Sequence, residues 1–187
     1  MILILIFLAG VPLLLYPTVS DYWNTLHASA AVTSYAQQVS SLDNGQCSEL
    51  LSAARAYNQS LSGRDNPYVL PAEQKAQYES LLNLDGTGFM GYIEIPNIDL
   101  SLPIYHGDLK RCFRSPWAIW TGPACRWAGG STHCVLSGHR GLPSAKLFTN
   151  LDKLVVGDTF VIRILDEALT YEVTKILIVE PTETEEL

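Results

Sequence analysis

The chain has 187 residues, 48% of them hydrophobic, and a formal net charge of −7. That length accommodates one domain with a real core plus a membrane segment. An acidic balance with no basic run argues against nucleic acid as a partner. The four cysteines, Cys47, Cys112, Cys125 and Cys134, form no CxxC pair, and no disulfide is expected.

Met1 to Tyr16 carries no charge. Sixteen helical residues span about 24 Å, short of the roughly 30 Å hydrocarbon core. The first basic residue is Arg55, so the positive-inside rule has nothing to read. The expectation is that the true start lies upstream and that Met1 sits inside the membrane helix. Tyr16, Tyr22 and Trp23 fit an aromatic belt at the outer interface. A cleaved signal peptide is the competing reading, but Ala28-Ser29-Ala30 lies too far beyond the apolar run to be its cleavage site. Residues 1–20 are therefore read as a transmembrane anchor, with lipid against residues 1–16.

Leu26 to Ser62 reads as two helices separated by Asp43-Asn44-Gly45. In the second, Leu50, Leu51, Ala54, Tyr57 and Leu61 recur at helical spacing and should pack on the domain. Cys47 reads as an unpaired surface or half-buried thiol. Gly63 to Pro71 is a loop by its Gly, Asn and Pro content. Pro71 to Asn83 reads as a helix, with proline in its first turn and Glu73 near its positive end.

From Met90 the pattern changes to strands. Tyr92, Ile93, Ile95, Ile98, Leu100, Leu102 and Ile104 form a β-rich run interrupted by Pro96 and Pro103, which belong on edges or bends. Asp108 to Gly130 has neither period, yet holds three of the four tryptophans, two cysteines and three arginines. In STHCVLSGHRGLPS (Ser131 to Ser144), Val135 and Leu136 look like a short buried strand. Ser137-Gly138 and Arg140-Gly141 break it on either side of His139. Leu147 to Leu154 suggests a short helix or turn. Thr159 to Leu165 and Leu169 to Val179 make a hairpin around Asp166-Glu167-Ala168.

His139 is the residue around which this arrangement makes chemical sense. A strand end followed by a glycine turn can present an imidazole to a cleft, and histidine titrates near neutral pH. Taken alone, a histidine in such a turn is more often structural than catalytic. Cys134 is five residues away, on the opposite face of an extended strand and about 16 Å distant, so the two cannot form a dyad. Cys134 reads as a small core residue. His133 shares the His139 face and reads as structural. A zinc site from His133, Cys134, His139 and Cys125 meets the same geometric objection. His106, at a strand end, reads as structural, with an active-site rim as the alternative.

Three long runs carry a family resemblance: LLLYPTVSDYWN (Leu13 to Asn24), GYIEIPNIDLSLPIYHG (Gly91 to Gly107) and STHCVLSGHRGLPSAKLFTNLDKL (Ser131 to Leu154). In order and separation they closely resemble the class C, pilin-polymerising sortases of Gram-positive bacteria. The resemblance implies a mainly β fold: an incomplete sortase-like β-barrel (residues 85–187), preceded by a helical region (21–84) and the transmembrane segment. It implies that His139 is the catalytic histidine. It implies an active-site lid at 63–71, where Asn66-Pro67-Tyr68 stands in place of an Asp-Pro-aromatic motif. Tyr68 supplies the aromatic plug, while Asn66 brings no charge.

The same resemblance implies a thiolate that attacks a backbone carbonyl to give a thioester, which an amine then resolves. The partners implied are pilin subunits with C-terminal sorting signals, on the extracellular face of the cell membrane. No metal or organic cofactor is implied. In the family, cysteine and arginine lie downstream, in a TLxTC motif and a later strand, and Leu187 precedes both. Arg140 is not that arginine. The chain as given is expected to be inactive as a transpeptidase. The alternative reading is a non-catalytic, membrane-tethered relic or pilin-binding β-domain, and a third is a Cys134-dependent hydrolase.

The irregular patch has a genetic explanation. Where the family carries a run like VLQxxVGHLDxTSLPVGG, reading each codon one base early converts Ala118 to Gly, because tryptophan's only codon ends in G. The same shift permits Thr121 to become Asp, Ile119 His, Arg126 Pro and Trp127 Val. A family-like run then reappears from Cys112 to Gly129, and the original frame resumes at Ser131. A compensated pair of indels is the expectation, and the residues as written should pack poorly, because indoles and arginines replace aliphatic groups and glycines. Sequencing the DNA across codons 108 to 131 checks this: the shifted frame should encode the family run, and its absence there rules the idea out.

Overall fold

A computed structural model describes residues 1–61, 71–107, 119–121 and 134–180. Three helices precede a six-stranded sheet: α1 (Ile2–Ser40), α2 (Asn44–Ser60), α3 (Ala72–Ser80), β1 (Phe89–Ile95), β2 (Leu100–His106), β3 (Ile119–Thr121), β4 (Leu136–Ser137), β5 (Thr159–Ile164) and β6 (Glu167–Glu172). Short 3-10 helices cover Pro96–Ile98 and Leu147–Lys153.

α1 is one unbroken helix from the apolar run into the domain, with Pro12 and Pro17 inside it. It is long and apolar enough to cross a membrane by length and composition, and its apolar window is not buried by the domain. Tyr16, Tyr22 and Trp23 are exposed. The helix reaches Ser40, so the region expected to begin a separate helix at Leu26 continues the first one. The break comes at Ser41–Asp43. There Asp43 caps α2 through a reciprocal capping box with Gln46, satisfying two backbone donors. On α2 the expected face is buried: Cys47, Leu51, Ala54 and Tyr57, with Leu61 just beyond.

The sheet order is β4-β3-β2-β1-β5-β6. It is antiparallel except for β2 and β3, which run parallel. The expectation is an incomplete barrel, and among the described residues the sheet is not closed, with β4 and β6 as its two edges. Pro103 lies inside β2 rather than at a bend, opposite Tyr92. The register of β2 with β3 begins one residue later, at Ile104. A residue lacking an N–H fits in a strand where no ladder bond is required of it. Gly91 is required by close approach: a Cβ there would lie 2.3 Å from the Arg163 carbonyl oxygen on β5.

The hairpin is also displaced from its expected position. Its turn is Leu165-Asp166, and β6 runs from Glu167 to Glu172, so it starts and stops earlier than the sequence pattern indicates. The cause is a long-range contact. Leu165 takes a positive φ of 52°, and its N–H donates to the Tyr35 hydroxyl of α1 at 2.9 Å. That hydroxyl in turn donates to the Met90 carbonyl at 2.8 Å. The Tyr35 ring stacks on Phe89 with centroids 4.6 Å apart and meets Tyr92 edge-on at 6.3 Å.

Tyr35→Phe removes the hydroxyl and leaves a buried N–H and a buried carbonyl without it, so it should lower stability by about 2 kcal/mol in denaturant titration. Burial pushes the Tyr35 phenol up from 10.0 to about 12, against the lowering effect of the Leu165 N–H. The unfolded phenol therefore ionises first. Its contribution is complete below pH 10 and is lost as pH rises toward 12, so the gap between wild type and Y35F should close over that window.

Candidate active site

His139 lies just after edge strand β4, between Leu136–Ser137 and the 3-10 helix at Leu147–Lys153, and is partly exposed. The strand is one residue later than Val135-Leu136, and the turn that follows is where the glycines put it. Gly141 takes φ +73°, and its N–H donates to the Thr149 hydroxyl at 3.1 Å. The His139 carbonyl accepts from the Phe148 N–H at 3.2 Å. Residues 139–148 thus form a loop closed at its base by this backbone bond. Within it, Leu142 bridges Ala145, and Leu147 holds φ +28°, a conformation that side-chain-bearing residues rarely adopt.

Beside the loop runs an apolar groove of about 710 Å³ over the open face of the sheet. Ile93, Ile95 and Ile162 contribute from the strands, and Leu136 and Phe148 from either side of the histidine loop. His139 is not in the lining itself; it lies in sequence between Leu136 and Phe148, which are. Such an apolar surface suits an extended apolar peptide. Arg140, next in sequence, pairs with Asp152 at 3.3 Å, both side chains well exposed.

The far side of the loop is held by α1. Asp21 accepts from the Lys146 backbone N–H at 2.8 Å and pairs with the Lys146 ammonium at 3.2 Å. The Asn24 side-chain amide donates to the Ser144 carbonyl at 2.7 Å. Neither Asp21 nor Asn24 was singled out from the sequence as a functional residue. The available signal was their position inside the LLLYPTVSDYWN run, where long similarity outlasts the apolar segment.

The other histidine at a strand end is structural. His106 is 1% exposed, its Nε2 donates to the Leu81 carbonyl at 2.6 Å, and its ring meets Tyr78 edge-on at 4.5 Å. Two readings of the cysteines are corrected. Cys47 is free and buried, and desolvation pushes its thiol up, with further raising by Asp166 and Asp43. Cys134 is disulfide-bonded, against the expectation of none, with its partner outside the described residues. Spacing along the chain carries no information about cysteines that tertiary approach brings together. A disulfide sulfur is no nucleophile, which removes the Cys134-dependent hydrolase.

Several expectations fall outside the described residues: the lid residues Asn66, Pro67 and Tyr68, His133, Cys125, and the irregular patch apart from β3. Among the described residues no group of three His, Cys, Asp or Glu could hold a metal ion.

Comparison with known proteins follows the same geometry. The Sortase domain model matches residues 93–187. Sortase C1 from Streptococcus agalactiae is similar with 36% identity and a TM-score of 0.77, over 84% of this chain and 82% of that one. Sortase C from Streptococcus pneumoniae, described for its pilin substrate specificity, is 30% identical over 84% and 80%, with a TM-score of 0.68. Sortase C from Clostridium perfringens, solved with the C-terminal cell wall sorting motif, is 31% identical over 86% and 82%, also at 0.68. No curated protein sequence matches the chain. Sortases are cell-surface-associated cysteine transpeptidases. With an open sheet behind N-terminal helices, a histidine loop after β4, and this likeness along most of its length, the chain belongs to the sortase family, in its class C branch.

Proposed function

We propose that the chain is the histidine-bearing part of a sortase that links pilin subunits, held on the outer face of a Gram-positive membrane by residues 1–20. The observation that supports this is the loop after β4 that bears His139, flanked in sequence by Leu136 and Phe148 of an apolar groove, within a chain 36% identical to a sortase C1. In this reading residues 21–84 are the helical region, 63–71 its lid-like loop with Asn66, Pro67 and Tyr68, and 85–187 part of the barrel domain.

The reaction has two halves. A cysteine thiolate attacks the threonine carbonyl of a Thr–Gly bond in the sorting signal. The C–N bond breaks, and the departing glycine amine takes its proton from the His139 imidazolium. A pilin lysine amine then attacks the thioester and gives its proton to the neutral imidazole. An amide forms and the thiolate leaves. An arginine stabilises the charge that develops on the carbonyl oxygen.

Residues 1–187 by themselves do not complete this chemistry on our reading. No TLxTC motif occurs among them, Cys47 is buried, and Cys134 is in a disulfide.

Two measurements test this. The 187-residue chain, incubated with a sorting-signal peptide, should show no thioester adduct by intact mass, and an adduct on Cys47 or Cys134 would overturn the proposed incompleteness. Protein produced from the intact locus should join the same peptide to a lysine amine, and His139→Ala should lower that rate about 10²- to 10⁴-fold. Equal rates with and without the imidazole overturn its role. No ligation by the unaltered protein, with the peptide still bound, favours the non-catalytic domain.

A further inference from the structure

We propose that Asp21 and Asn24, on the first turn of α1 beyond its uncharged run, are positioning residues for His139. The proposal rests on the reading of His139 as the acid/base group, and it gives α1 a second role besides anchoring.

The histidine loop has little structure of its own. Its base is one backbone bond, Phe148 N–H to His139 carbonyl, and its interior is a bridge and two positive-φ residues, Gly141 and Leu147. A leucine at φ +28° is strained and persists only where its surroundings hold it. Those surroundings are α1. Asp21 holds Lys146, the residue immediately before Leu147, by both its backbone N–H and its ammonium. Asn24 holds the Ser144 carbonyl on the preceding stretch. The mechanical path is short: Asp21 fixes Lys146, Lys146 fixes the turn at Leu147, and Leu147 sets the Phe148 N–H against His139.

The clamp is built rather than incidental. Its two α1 residues are three apart on one helix face, and the contacts span 125 and 120 residues of chain. The Asp21 side chain is only 20% exposed. Ala28, two turns on, and Ala145 and Leu147 of the loop are each 5% exposed or less, and all three border the same small cavity of about 290 Å³. The Lys146 side chain is 72% exposed, so the charge-assisted bond to its backbone N–H, with the part-buried Asn24 bond, carries the clamp rather than the ion pair. The uncharged run ends at Ser20, so the catalytic loop is fixed directly to the residue at which the helix leaves its apolar stretch.

The test reads the loop without turnover, on the full chain in detergent micelles. Asp21→Ala with Asn24→Ala should speed amide exchange across residues 139–149 about tenfold. The same double variant should shift and broaden the His139 imidazole resonance, one of four in the protein and assigned by its loss in His139→Ala. Exchange in the β5–β6 hairpin should not change. Asp21→Asn keeps an acceptor for the Lys146 N–H and should restore most of the protection. Gln38→Ala, on the same helix away from the loop, should alter neither signal.

Unchanged exchange and an unchanged His139 resonance in the double variant overturn the clamp. So does a uniform rise in exchange over the whole domain, which would mark loss of stability only. Either result leaves the ligation assay of His139→Ala untouched, and equally a failure of that assay leaves the clamp measurable.

Discussion

One phenolic hydroxyl joins the helical half of this molecule to its sheet. Tyr35 donates to the Met90 carbonyl on β1 and accepts the Leu165 N–H at the β5–β6 turn. Its ring completes a cluster with Phe89 and Tyr105. The same helix is also held by Asp21 and Asn24 against residues 144–146 and by Ala28 in the core. Once Tyr35 is seated, the remaining turns of α1 have a defined path, and Asp21 and Asn24 arrive at the histidine loop four and three turns earlier on the same rod. The geometry near His139 is therefore set in part by a side chain in a different region of the fold.

The open sheet gives the site its character. Ile93, Ile95 and Ile162 face a broad apolar groove, with Leu136 and Phe148 at the end where the histidine loop stands. An apolar floor of this kind can take up the side chains of an extended peptide. The edge placement of β4 matters too. A two-residue strand leaves the chain free to turn at once, and the glycines on either side of His139 let it do so.

Much of this was legible in the residues. The strand pattern from Met90, the amphipathic second helix, the glycine break around His139 and the short helix after it all lie within a residue or two of their expected places. Each depends on local rules, periodicity and turn chemistry. The misplacements share a cause. The hairpin turn sits at Leu165 because a tyrosine 130 residues away takes its N–H. Pro103 is tolerated inside a strand because of where its neighbour's pairing begins. Cys134 is bonded because the fold carries it to another cysteine, which no spacing rule anticipates.

The sequence by itself determined most of the element types and the family, because both are carried by contiguous runs. Only the tertiary structure decided that Cys134 is no thiol and that Asp21 and Asn24 of α1 bond to the loop carrying His139. The α1 bonds join residues more than a hundred positions apart, and the disulfide joins cysteines that no spacing motif pairs. Chain periodicity has no term for either, since they follow from how whole elements pack once they have formed.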